Sequence, residues 1–204
     1  MHEVVHSTLL YGAPVWARSL EVEHYRGKMA RVQRRSALRV ISGYRTISED
    51  AALVLASSPP IDLLANERVL KYQDKKKKVR DLTLSQWQAR WDSATGGRWT
   101  RRLVCDLRQW CQRKHGDLSY RLTQLLSGHG CFGAYLHRIG KEATTACWHC
   151  DGENDDAEHT MLLCPAWTTQ RAVLCAALGV NAISTDMVAS SMLQSIEQWQ
   201  AWDV

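Results

Sequence analysis

The feature that most constrains this chain is a group of cysteines and one histidine with the spacing C-x2-C-x8-H-x4-C. Its members are Cys147, Cys150, His159 and Cys164. Two thiolates separated by two residues can bind one metal ion from a tight turn, and the later histidine and cysteine complete a tetrahedral set. Because four protein ligands leave no position for water, the pattern predicts a structural Zn²⁺ site rather than a catalytic one.

A second histidine offers an alternative fourth ligand. His149 lies between Cys147 and Cys150 and competes with His159 for the same ion. We favour His159, because in a C-x2-C turn the two neighbours of His149 already occupy the metal.

The loop inside the predicted metal site is acidic. Residues 151–158 read DGENDDAE, and carboxylates at this density repel phosphate. We therefore interpret the metal as a staple for the C-terminal part of the chain, with nucleic acid bound elsewhere. Direct contact between this loop and nucleic acid is the alternative interpretation.

The cysteine count and the hydropathy pattern limit the compartment. There are seven cysteines, an odd number, and the N-terminus lacks the features of a secretory signal. No apolar stretch is long enough to span a bilayer, so we expect no membrane partner. We predict an intracellular protein, nuclear or cytoplasmic, with its thiols reduced or bound to metal.

The net charge of +5 conceals a division along the chain. Residues 1–140 hold 24 Lys and Arg against 12 Asp and Glu, a formal charge of +12. Residues 141–204 hold 2 against 9, a formal charge of −7. This division predicts that RNA or DNA binds mostly through residues 1–140, without strong sequence preference.

One predicted helix concentrates this positive charge. Residues 27–45 have apolar side chains on one face at helical spacing. The opposite face carries Lys28, Arg31, Arg35 and Arg39, with no acids at i+4 to neutralise them. We predict that these four residues contact phosphates; a solvated basic face is the alternative.

The rest of the chain also has a helical pattern, and no convincing strand pair occurs. Residues 46–49 match a capping box with Thr46 as N-cap, and tryptophan stripes in residues 83–114 predict two helices that pack in the core. The lysines of residues 75–78 are interpreted as a solvated linker. The sequence therefore predicts a mainly α fold.

The first 20 residues are apolar for an exposed terminus. Val4, Leu10, Val15 and Trp16 all require burial. Either this segment docks on the core of the same chain, or it belongs to a larger core.

Several segments, in this order, resemble one known family. They are residues 10–17 (LYGAPVWA), 33–40 (QRRSALRV), 44–48 (YRTIS), 59–64 (PPIDLL), 97–100 (GRWT), 122–130 (LTQLLSGHG), 132–136 (FGAYL), 156–159 (DAEH) and 164–167 (CPAW). Together they are similar to the region C-terminal to the polymerase core in reverse transcriptases of insect non-LTR retrotransposons. The similarity is strongest to the clade that inserts into ribosomal RNA genes.

The resemblance implies a thumb-like helical segment, a helical connection and a zinc knuckle. Such a region would grip template RNA and target DNA during target-primed reverse transcription. The resemblance also implies that the apolar N-terminus packs on a polymerase core, and that Met1 is an internal start in a truncated copy. We also expect contact with that core or with other proteins of the element.

Two departures from the family bear on catalysis. The polymerase signature Tyr/Phe-Ala-Asp-Asp does not occur in this sequence, and we expect no endonuclease region before Met1. We therefore predict no catalytic residues and no polymerase or endonuclease active site in this chain. The x8 spacing also differs from the four residues of retroviral nucleocapsid knuckles, so their base-stacking details are not transferred.

The resulting prediction has three segments. Residues 1–74 form the thumb-like segment, residues 75–114 a basic linker with Trp-rich helices, and residues 115–204 the zinc-knuckle subdomain with its C-terminal helices. The predicted function is binding of nucleic acid and Zn²⁺ by a fragment of a retrotransposon RNA-directed DNA polymerase. The alternative is a zinc-stapled module for protein–protein interaction, using the acidic tail and a Trp-rich surface.

Overall fold

The computed structural model describes residues 2–74 and 78–203, and within them the chain is helical and contains no β-strand. The helices are α1 (His2–Leu9), α2 (Ala13–Trp16), α3 (Glu23–Val40), α4 (Glu49–Leu55), α5 (Ile61–Gln73), α6 (Arg80–Ser93), α7 (Arg98–Leu103), α8 (Leu107–Gln112), α9 (Tyr120–Ser127), α10 (Gly133–Arg138), α11 (Thr168–Leu178), α12 (Met187–Met192) and α13 (Ile196–Ala201). The prediction of a mainly α fold is confirmed. Lys75, Lys76 and Lys77 of the predicted linker lie outside the described residues.

The basic helix α3 begins and ends earlier than predicted. It spans Glu23–Val40 instead of residues 27–45. Its end is a reversal in which Ser42 takes the left-handed conformation (φ 52°) and the Gly43 N–H donates to the Leu38 carbonyl at 2.7 Å. This hydrogen bond satisfies a free carbonyl of the last turn and closes the helix.

The predicted capping box at Thr46 is wrong. Ser48 caps α4, because its hydroxyl accepts a hydrogen bond from the Ala51 N–H at 3.2 Å. The Thr46 hydroxyl instead lies 2.9 Å from His129 Nδ1 and 2.8 Å from the Tyr135 hydroxyl. The Thr46 hydroxyl therefore makes long-range contacts instead of capping α4.

The main core is built around α4 and the tryptophans. The buried Trp91 and Trp110 donate their indole N–H groups to the carbonyls of Val104 (2.8 Å) and Val54 (2.9 Å). Residues 83–114, predicted as two helices, contain three: most of α6, then α7 and α8. The prediction that their tryptophan stripes pack in the core holds for Trp87, Trp91 and Trp110. All three rings bury large apolar areas, and those of Trp91 and Trp110 also bury a hydrogen-bonded N–H.

The main core takes its residues from most of the chain. Its buried residues run from Ala37 to Trp202 and come from each of the three predicted segments. The division into three segments stays a prediction, but the boundaries at residues 74/75 and 114/115 do not separate independent cores.

The N-terminal segment is only partly docked. Leu10, Ala13 and Leu20 form a second buried cluster with α5. Tyr11 and Val15 of the same segment are 85% and 89% exposed. The structure therefore shows the segment docked in part on the core of the same chain, and packing of its exposed side chains on a larger core stays a prediction.

None of the helices in the described part of the chain has the length and apolar character that a membrane crossing requires.

Candidate metal centre and basic face

Four candidate metal ligands converge at one point of the structure. The ligand atoms of Cys147, Cys150, His159 and Cys164 all lie within 4.8 Å of one another. The Cys147 and Cys164 sulfurs are 3.9 Å apart, and the Cys150 sulfur is 3.3 Å from His159 Nε2. Tetrahedral zinc with ordinary bond lengths places such atoms about 3.5–3.8 Å apart, so the donor set fits this ion.

A tight turn presents the first two cysteines. The Asp151 N–H donates to the Cys147 carbonyl at 3.2 Å, and the Cys147 N–H donates to the Gly152 carbonyl at 2.8 Å. Asp151 adopts a left-handed conformation (φ 57°), which aspartate tolerates better than most residues. A Cβ at position 152 would lie 3.3 Å from the Cys150 sulfur, so the glycine leaves room for the ligands.

A π-helical turn, His159–Leu163, brings the other two ligands together. The Cys164 N–H donates to the His159 carbonyl at 2.8 Å, which closes this wider turn. The Asp156 carboxylate accepts the His159 N–H at 2.8 Å and fixes the start of the turn. The local sequence therefore sets the backbone directions of both ligands.

The acidic loop is tied to the helices rather than free. The buried Asp155 accepts hydrogen bonds from the Gly133 N–H (2.9 Å) and the Thr160 hydroxyl (2.9 Å) through its carboxylate. Glu158 forms a two-fold hydrogen-bonded ion pair with Arg102 of α7, at 2.5 and 2.6 Å. The sequence did not predict the bonds to Gly133 and Arg102, since these partners are 22 and 56 residues away along the chain.

The thiols need a counter-charge to act as ligands. Burial, followed by contact with the other two cysteines, raises the pKa of the Cys147 thiol to about 11. A divalent cation offsets this penalty, because it stabilises thiolates directly. A closed Cys3His set would supply zinc with all its ligands and would thus have a structural role.

The competing histidine lies apart from this cluster. His149 is exposed, and its ring packs edge-on against Trp167 with centroids 5.0 Å apart. The structure thus brings His159, and not His149, together with the three cysteines.

The predicted basic face is present on α3. Lys28, Arg31, Arg35 and Arg39 are arranged along it, and in the described residues none of them forms an ion pair. The Arg31 Nε–H donates only to the Gly27 carbonyl of its own helix at 3.1 Å. Its neighbour on α3, Arg34, has a structural role and holds the carbonyls of residues 45 and 47 at 2.6 and 2.7 Å. The four cations are therefore free to meet an anionic partner.

Curated proteins of retrotransposable elements are similar to this chain. A putative 115 kDa protein in the type-1 retrotransposable element R1DM of Drosophila melanogaster is 29% identical and covers 94% of the chain. A retrovirus-related Pol polyprotein from element R1 of Bradysia coprophila is 26% identical over 79% of the chain, and one from element R1 4 of Nasonia vitripennis is 27% identical over 80%.

These relatives are longer than this chain. The chain spans about a fifth of the Drosophila and Bradysia proteins, at 21% and 18%, and 47% of the Nasonia protein. No protein-family model matches the chain, and no solved structure matches it. The resemblance to insect non-LTR retrotransposon proteins is confirmed by these relatives.

Proposed function

Because this chain is related to R1 retrotransposon proteins over most of its length, we propose that it is a nucleic-acid-binding, zinc-holding part of such a protein. It binds RNA or DNA mostly without sequence preference and contacts other parts of the element's proteins. It carries no polymerase or endonuclease active site of its own, a proposal supported by the absence of the Tyr/Phe-Ala-Asp-Asp signature from the sequence.

The observation that carries the binding proposal is the unpaired cationic face of α3. Lys28 and Arg39 mark its ends, about 16 Å apart along the helix axis. That length matches several phosphate spacings of a nucleic-acid strand. Free cations in such a row release condensed counterions from the strand when they bind, which favours association at low salt.

Zinc has a structural role in this proposal. Cys147, Cys150, His159 and Cys164 bind one Zn²⁺ and hold the loop that reaches α7 through the Glu158–Arg102 pair. When bound, the ion cross-links the turn that holds Cys147 and Cys150 to the turn that holds His159 and Cys164. These turns have little apolar core of their own.

A salt titration tests the nucleic-acid proposal. The parent chain is titrated with a single-stranded oligonucleotide of about 16 nucleotides at increasing salt. A variant with Lys28, Arg31, Arg35 and Arg39 changed to Gln should bind more weakly. Its salt slope should be smaller by about 0.7 for each phosphate that the variant no longer neutralises.

The matched control removes four other exposed cations that form no ion pair among the described residues, Arg18, Arg68, Lys114 and Arg121. It should retain most of the parent's affinity. Binding by the α3 variant equal to that of the control would contradict the role of α3. Binding by the parent that does not weaken as salt rises would contradict the electrostatic mechanism.

A protein-interaction module is the second candidate. It is favoured by the exposed side chains of Tyr11 and Val15 at the N-terminal segment, whereas most of the tryptophan surface expected for it is buried. If single-stranded nucleic acid fails to bind while a protein partner binds, this second function stands.

A further inference from the structure

A polar cleft lies where five segments of the chain meet. This cleft, called here the junction cleft, has a volume of about 710 Å³. Its walls come from residues 46–48, 97–102, 127–129, 138 and 156–158. The volume is within the range of about 300–1,000 Å³ that is usual for sites of nucleotide-sized ligands. Four of these segments overlap the sequence segments that resemble the retrotransposon family.

The guanidinium of Arg102, in the lining of the cleft, has a fixed plane. Arg102 lies over the Trp99 ring at 5.3 Å, and Glu158 binds its two terminal nitrogens at 2.6 and 2.5 Å. Two parallel hydrogen bonds fix the plane of the guanidinium. The Arg102 side chain nevertheless remains 51% exposed. A planar, fixed and open guanidinium is a surface on which an unstacked nucleobase can stack.

Two further arginines of the lining, Arg98 and Arg138, supply positive charge. In the described part of the chain, neither Arg98 nor Arg138 forms an ion pair. The remaining carboxylate of the lining, Asp156, accepts hydrogen bonds from the His159 N–H at 2.8 Å and the Asn154 amide at 2.9 Å. With Arg102 paired to Glu158, the charged groups that remain in the lining are the Arg98 and Arg138 cations and the Asp156 carboxylate, a net formal charge of +1.

A neutral histidine positions Arg138. The Arg138 guanidinium can only donate, so its 3.1 Å contact makes His129 Nε2 an acceptor. The proton therefore lies on Nδ1, which donates to the Thr46 hydroxyl at 2.9 Å. The His129 ring stacks on Tyr135 with centroids 4.9 Å apart. These contacts leave His129 no free nitrogen for a ligand, so it acts as a positioning residue.

Glycines keep the cleft open. Gly97 and Gly128 both have positive φ, 65° and 68°. A Cβ at position 128 would lie 3.0 Å from Trp99 Cδ1, and one at position 97 would lie 2.9 Å from the Ala51 Cβ. Side chains at these positions would strain the backbone and crowd the cleft.

We propose that the junction cleft binds one nucleotide unit of a single-stranded nucleic acid, with its base on Arg102 and its phosphate between Arg98 and Arg138. This inference rests on the proposed nucleic-acid function and adds a contact site distinct from α3. It adopts the alternative in which the acidic loop, through residues 156–158, lies next to bound nucleic acid. Since Glu158 directly precedes the candidate metal ligand His159, the metal-held loop is also the part that keeps Arg102 flat.

The test uses the full chain and a single-stranded oligonucleotide of about four nucleotides, too short to follow all of α3. Arg98→Gln with Arg138→Gln should weaken its binding by about tenfold or more, because charge-assisted hydrogen bonds to the phosphate can no longer form. Arg68→Gln with Arg121→Gln removes two exposed cations without ion pairs among the described residues; it is the matched control and should bind like the parent. In the parent, the side-chain N–H resonances of Arg102 and Trp99 should shift on binding.

Glu158→Gln tests positioning. Because the change removes one of the two hydrogen bonds that fix the Arg102 plane but also frees the Arg102 charge, the readout is geometric. The Arg102 and Trp99 side-chain N–H shifts on binding should shrink while zinc content stays unchanged. If the Arg98/Arg138 variant binds the short strand as tightly as the control, the cleft proposal is overturned. The proposed function is judged separately, by the α3 variant and the long strand. If inorganic phosphate shifts the Arg102 and Trp99 resonances as the strand does, the role of the base is overturned.

Discussion

At the scale of single residues, the spacing of the cysteines carried most of the information about the metal centre. Cys147 and Cys150 are close along the chain, so their turn is a local property that the sequence encodes directly. The choice between two histidines is different, since it depends on which ring reaches the sulfurs. The π-helical turn and its Asp156 bond, neither visible in the pattern, place His159 there.

Replacing the two histidines separately tests this choice. His159→Ala should lower zinc affinity strongly, because it removes a ligand that completes the tetrahedron. His149→Ala should leave zinc affinity unchanged, since that ring packs on Trp167 outside the cluster. Competition with a chromophoric chelator measures both. Loss of zinc from the His149 variant alone would contradict the assignment.

The protonation of His129 gives a second prediction at this scale. Burial, followed by the charge of Arg138, lowers the pKa of His129 from 6.5 to about 4. The unfolded chain therefore binds a proton between these values while the folded chain does not. The free energy of unfolding is therefore independent of this group above about pH 6.5, and it decreases as pH falls from 6.5 towards 4.

An NMR titration of the imidazole resonances checks this directly. The His129 ring should remain neutral until about pH 4, with its proton on Nδ1. Titration of His129 near the ordinary histidine pKa would contradict the half-buried, hydrogen-bonded arrangement.

At the scale of elements, helix positions followed from hydrophobic periodicity, whereas helix ends did not. The apolar and basic faces of α3 were predicted, but its end depends on Ser42, a residue type that seldom adopts a left-handed conformation. The start of α4 was assigned to Thr46, which bonds instead with partners 83 and 89 residues away. Local pattern cannot reveal such competition, because the partner arrives only after folding.

The cap of α4 can be tested by substitution. Ser48→Ala should lower the free energy of unfolding by about 1 kcal/mol, since the Ala51 N–H loses its acceptor. Ser85→Ala, an exposed change within α6, should change it by less than about 0.5 kcal/mol. Urea unfolding measures both variants. Equal stabilities would contradict Ser48 as the cap.

At the scale of the whole molecule, one core contains residues from all three segments that were predicted from the sequence. The three predicted segments followed the family resemblance and the lysine run of residues 75–78, but buried side chains from each pack in one cluster. The junction cleft was missed for the same reason, because its walls are far apart in sequence and meet only in the folded chain.

Trp110 provides a test of this shared core. It is fully buried, donates to Val54 of α4 and packs against Trp199 of α13 with ring centroids 5.7 Å apart. Trp110→Ala should destabilise the protein by about 3–5 kcal/mol. Circular dichroism and tryptophan fluorescence should report one coincident transition in the parent. Two separated transitions would contradict a shared core.

The central claim, that zinc holds the C-terminal part of the chain, is tested most directly by metal stoichiometry. Protein purified without chelator and weighed by native mass spectrometry should carry one zinc ion per chain. Cys147→Ser should abolish this mass increment, whereas the matched change Cys105→Ser, at an exposed cysteine outside the cluster, should retain it. A parent chain with zinc content near zero would contradict the account.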